Sequence, residues 1–110
     1  MDFDTLSTVE YGNLDSLKDF LFVNAQQHQV FRETFLDQGI LVPAFPIAEA
    51  DTDFLDDWLL VEHQSFANLL ELSNPFNMLD VDWNVENDFY DWIASHLYIH
   101  QQIAGTLGLT

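Results

Sequence analysis

The chain contains no cysteine, so neither a disulfide framework nor a thiolate metal site is open to it, and thiols say nothing about its redox compartment. Cations are nearly as scarce. Lys18 and Arg32 stand against nineteen Asp and Glu, for a net charge of −17. That balance argues against direct nucleic-acid binding, which neutralises phosphates with Lys and Arg, and against anionic membrane surfaces. No apolar run approaches the ~20 residues of a membrane span. The Met1-Asp-Phe-Asp start lacks the basic beginning and apolar core of a signal peptide, so the expectation is a chain made in the cytoplasm.

What remains is unusual for an acidic sequence. Disordered acidic chains are poor in aromatic and branched apolar residues, whereas this one is 48% hydrophobic with ten Phe, three Trp and three Tyr. At 110 residues it is long enough to bury roughly two thirds of the surface of its unfolded form. The reading is one acidic helical domain over residues 13–110, preceded by an irregular arm over 1–12 that contains Phe3, Leu6, Val9 and Tyr11 without a helical stripe.

Three helical segments are expected from apolar spacing near 3.6. The first carries Leu14, Leu17, Leu21, Phe31 and Phe35 on one stripe, with Asn13 or Asp15 as cap and Gly39 after its end. A connector holding Pro43 and Pro46 follows. The second helix is expected to begin at Asp51 or Thr52, to turn Leu55, Leu59, Phe66 and Leu70 inward, and to stop before Ser73-Asn74-Pro75. The third is expected to start between Asn84 and Asp88 and to carry Phe89, Trp92, Ile93, Ile103 and Leu107, with Gly105 and Gly108 loosening its last turn.

The segments read as degenerate copies of one unit. His-Gln recurs as His28-Gln29, His63-Gln64 and His100-Gln101, and Phe20 precedes His28 by the same eight residues that separate Trp92 from His100. In the middle copy Trp58 stands only five residues before His63. A helix plus its connector accounts for such a period, so the expected fold is all-α, a small three-helix array of degenerate repeats.

Four constellations are candidates for chemistry. His96 and His100, four apart, would face the same way on a helix and reach one metal ion if His28 or His63 joined them. No His-Glu-x-x-His pattern is present, however, and neutral histidines bonded to Gln or a backbone carbonyl are ordinary core residues, so no metal or cofactor is expected. Paired carboxylates are the second candidate. Asp57 beside Trp58 and Asp91 beside Trp92 are the only hints of the contrasting environments that acid–base catalysis needs. There is no phosphate loop and no nucleophile with a recognisable base, and two cations are few to stabilise a developing anion, so no enzyme activity is expected.

The acids are clustered, with Glu49, Asp51, Asp53, Asp56, Asp57 and Glu62 near the start of helix two and Asp80, Asp82, Glu86, Asp88 and Asp91 near helix three, while no charged Asp, Glu, Lys or Arg follows Asp91. Carboxylates in a first helical turn gain ~0.3–1 kcal/mol each from the helix dipole, and five or six exceed that need. Large aromatics sit among them. The surface expected to contact a partner is therefore Asp51, Asp53, Asp56, Asp57, Asp80, Asp82, Trp83, Asp88, Trp92 and Tyr98.

The Asp57-Trp58 and Asp91-Trp92 helix starts, the His-Gln pairs, the linker Leu79-Asp80-Val81-Asp82-Trp83 and the ending Ala104-Gly105-Thr106-Leu107-Gly108-Leu109 resemble small acidic helical proteins encoded among the head and neck genes of tailed bacteriophages. The resemblance covers about residues 50 to 110 and, more weakly, 14 to 39. It implies a non-enzymatic structural or assembly protein of the virion, made in the host cytoplasm, and the expected partners are virion proteins with a basic surface and copies of itself in a symmetric oligomer. It carries over no catalytic residue. An alternative from another class is an acidic DNA mimic that inhibits a host nuclease or DNA-binding defence protein, since carboxylates one helical turn apart sit ~5–6 Å from each other, like a row of phosphates.

Overall fold

Regular structure begins at Asp2, whose carboxylate accepts the Thr5 N–H at 2.9 Å and starts the short helix α1, Phe3–Ser7. The computed structural model describes residues 1–42, 66, 68–70 and 85–109, and within them two long helices follow: α2, Leu14–Asp37, and α3, Glu86–Thr106. The all-α class expected from the sequence holds, with no strand among the described residues. Phe66, Asn68 and Leu69 are helical; the rest of the expected second helix, the Pro43–Pro46 connector and the Asp80–Asn84 stretch lie outside the described residues.

Helix α2 starts where its cap was expected. Asn13 Oδ1 accepts the Ser16 N–H at 3.1 Å, while its Nδ2 donates to Glu10 Oε2, so one side chain closes both the turn before the helix and the helix's first turn. Val85 opens α3 without a side-chain cap, and Glu86 and Asp88 occupy its first turn, where the dipole favours them.

Both long helices end by the same device. At the end of α2 the Ile40 N–H returns to Phe35 O and the Gly39 N–H to Leu36 O, each at 2.9 Å; at the end of α3 Leu109 returns to Ala104 at 2.8 Å and Gly108 to Gly105 at 3.2 Å. The reversal requires a positive φ, which Gly39 (82°) and Gly108 (73°) supply without a Cβ penalty. Gly108 therefore terminates α3 rather than loosening it.

The two helices lie side by side and parallel. Phe20 meets Trp92 with ring centroids 5.9 Å apart, Asn24 meets His96, and His28 meets His100, each pair separated by 72 residues in sequence. A constant offset at successive four-residue steps is the mark of parallel helices in register. Two apolar clusters grip this pair at either end. One joins Leu6, Val9, Phe20, Val23, Phe89, Trp92 and Ile93. The other joins Phe31, Phe35, Val42, Phe66, Ile99, Ile103 and Ala104.

The first twelve residues, expected as an irregular arm, hold α1 against both α2 and α3. Leu6 is fully buried and Val9 nearly so. Tyr11 fastens the exit from this segment, its N–H donating to the Tyr90 hydroxyl at 3.1 Å and its ring meeting Phe89 edge-on. Five residues are too short for 3.6-residue periodicity to register, which is why the helix escaped the sequence reading. The apolar stripe of α2 is also shifted from expectation. Leu14 is 56% exposed and Leu17 and Leu21 are only half-buried, because the buried face runs through Phe20, Asn24, Gln27, His28, Phe31 and Phe35.

Candidate functional site: a buried histidine layer

Between the two apolar clusters lies a layer of five polar side chains, Asn24, Gln27, His28, His96 and His100, all essentially inaccessible to solvent. Buried polar groups are costly unless bonded, and the layer is built from partners across the α2–α3 seam. His100 Nδ1 lies 2.8 Å from Gln27 Oε1, His28 Nε2 lies 3.0 Å from His100 Nε2, and His96 Nε2 lies 2.7 Å from Asn24 Oδ1.

The protons in this chain can be assigned from one end to the other. Gln27 Nε2 donates to the Asp2 carbonyl at 2.8 Å, which fixes the amide and leaves Oε1 as acceptor. His100 must then carry a proton on Nδ1, and as a neutral ring it keeps its lone pair on Nε2. His28 in turn donates from Nε2 into that lone pair. When both rings are neutral, the chain thus runs His28 to His100 to Gln27 to the backbone of α1. Asn24 Oδ1 sets the proton of His96 on Nε2 in the same way, while Asn24 Nδ2 has no hydrogen-bond partner among the described residues.

Aromatic rings enclose the layer. Trp92 stacks on His96 at 4.8 Å, His96 tilts against His100 at 4.2 Å, and His100 stacks on His28 at 4.8 Å. Phe20 closes one side against His96, and Phe66 closes the other, edge-on to His28. The imidazoles therefore sit inside an aromatic column with no carboxylate among the layer's members. One ligand nitrogen from each of His28, His96 and His100 falls within 4.8 Å of the other two.

The sequence paired His96 with His100 and named His28 as a possible third member; the parallel register of α2 and α3 brings His28 in. His63 lies outside the described residues. Asn24 and Gln27, at i−4 and i−1 from His28, are buried with it, and as polar residues they give no apolar signal in the sequence.

The expected partner surface fares differently. Asp51, Asp53, Asp56, Asp57, Asp80, Asp82 and Trp83 lie outside the described residues. Trp92 is 1% exposed and belongs to the core between Phe20 and His96, where it has no face for a partner. Asp88 is half-buried and Tyr98 is 49% exposed. Every other described Asp and Glu is exposed, so among the described residues the carboxylates are on the surface while His28, His96 and His100 are inside. A concavity lined by Glu10, Gly12, Asn13, Leu14, Leu17 and Phe89 measures about 210 Å³, below the ~300–1,000 Å³ of small-molecule sites. No described helix is long and apolar enough to cross a membrane.

No family model, curated protein or solved structure matches the chain.

Proposed function

We propose that this protein is a non-enzymatic assembly component of a phage particle, acting through protein–protein contacts in which its acidic surface meets a basic partner. The observation that carries the reading is the segregation of charge: nine of the ten described acids are exposed, the core layer carries none, and the whole chain has a net charge of −17. Such a surface steers association with a positively charged protein and repels nucleic acid and like-charged neighbours. Exposed apolar side chains supply contact area beside the charge, Phe22 at 65%, Leu36 at 57% and Tyr98 at 49% exposure.

Quantitative mass spectrometry of purified phage particles, produced from a genome that encodes the chain, tests the reading. A fixed copy number per particle, lost only when particles are dismantled, supports it. Complete absence from intact particles overturns it. Displacement of a DNA-binding enzyme from DNA by the purified protein would instead favour the mimic.

A further inference from the structure

We infer that His28, His96 and His100 form a binding site for one first-row transition-metal ion of the class that favours imidazole, with zinc as the type. The inference is independent of the assembly role. Two nitrogens bound to one tetrahedral zinc, each at about 2.0–2.1 Å, lie about 3.3 Å apart. His28 Nε2 and His100 Nε2 already stand at 3.0 Å. The widest separation in the trio is within 4.8 Å, so closing it requires about 1.5 Å of movement for zinc geometry, within reach of a ring rotation.

The second observation is how the rings are held. Histidines that bind metal give their other ring nitrogen to an oxygen acceptor, which sets the tautomer and aims the lone pair at the ion. His100 does this through Gln27 Oε1, itself anchored on the Asp2 carbonyl, and His96 through Asn24 Oδ1. Both acceptors are neutral amides from α2. The His100 lone pair is thereby turned toward His28. To join as a ligand His28 moves its proton from Nε2 to Nδ1, a change of tautomer that leaves the ring neutral and releases no proton. Three neutral imidazoles leave a fourth position for water or another donor. Nitrogen-only ligation in an apolar surround suits zinc, copper, nickel or cobalt and disfavours magnesium or calcium, which take oxygen.

The rival sink for a divalent ion is the acidic surface, and the probe must separate the two. The metal-free full chain, prepared with a chelator and shown by circular dichroism to be folded, is titrated with cobalt(II). Binding at the histidines gives intense visible bands of a four-coordinate nitrogen site, saturating at one ion per chain and bleached by one equivalent of zinc. Ions on surface carboxylates are six-coordinate and nearly colourless. His28→Gln and His100→Gln each abolish the bands, and zinc raises the Tm of the wild type but not of these variants. If a variant does not fold, the wild-type titration alone decides. A folded wild type that gives neither the bands nor a zinc-dependent rise in Tm overturns the site, and so do bands that persist in both folded variants.

Discussion

Gln27 binds two parts of the molecule at once, accepting the His100 Nδ1 proton at 2.8 Å while donating to the Asp2 carbonyl at 2.8 Å. Its carboxamide is therefore the joint between the histidine layer and α1. Gln27→Leu keeps the side-chain volume and removes both bonds, leaving a buried imidazole N–H without its acceptor. The expected cost is about 1–3 kcal/mol in urea unfolding, with faster amide exchange in Phe3–Ser7. Combining it with His100→Leu costs less than the sum of the two single changes, because the orphaned donor is then gone.

The three glycines at helix ends and interiors separate by sign. Gly39→Ala and Gly108→Ala place a Cβ at φ +82° and +73° and each lower stability by roughly 1–2 kcal/mol. Gly105 is helical with no atom within 4 Å of the position a Cβ would take. Gly105→Ala is expected to raise stability by about 0.8–1 kcal/mol. Thermal unfolding of the three variants gives Tm shifts of opposite direction.

The Asp2 carboxyl is held below its ordinary value of 3.8 by hydrogen bonds from the Thr5 hydroxyl and then the Thr5 N–H. A depressed carboxyl stabilises the fold fully above its unfolded value and loses that contribution as the pH falls through the folded one. Acid below 3.8 is therefore expected to fray α1 before the long helices. Amide exchange or NMR across Phe3–Ser7 reads this, and Asp2→Asn, which keeps a capping oxygen, removes the pH dependence of the fraying.

Self-repulsion of a chain at −17 opposes compaction. Raising ionic strength from about 0.01 M, where charges are felt over ~30 Å, to about 1 M, where they are felt over ~3 Å, is expected to raise the Tm progressively. A Tm that falls or stays level with sodium chloride would show that repulsion among the carboxylates is not limiting stability.

Local signals made much of the scaffold legible. Asn13, Gly39 and the apolar period of α3 announce helix boundaries and type through chemistry confined to a few residues. The buried polar layer is different, because Asn24, Gln27 and His28 lie on the core face of α2 but count as polar in any apolar stripe, which draws the reading toward Leu14 and Leu17 instead. Trp92 looked like a partner contact because of its acidic neighbours, yet its position one turn before His96 on the seam decides its burial. The repeat was the one long-range hint. Phe20 and His28 on one side, and Trp92 and His100 on the other, are the same eight residues apart because they form the rungs on either side of Asn24–His96 between parallel helices.

The bond from Gln27 to the Asp2 carbonyl makes the second residue of the chain part of the interior wiring. A peptide fused ahead of Met1, or a cut that removes the first few residues, would pull on the last link of a relay that ends at His28, so a disturbance outside the bundle would register at its centre. Labels and affinity handles for studying this protein belong away from Met1, at an exposed position such as Ser95.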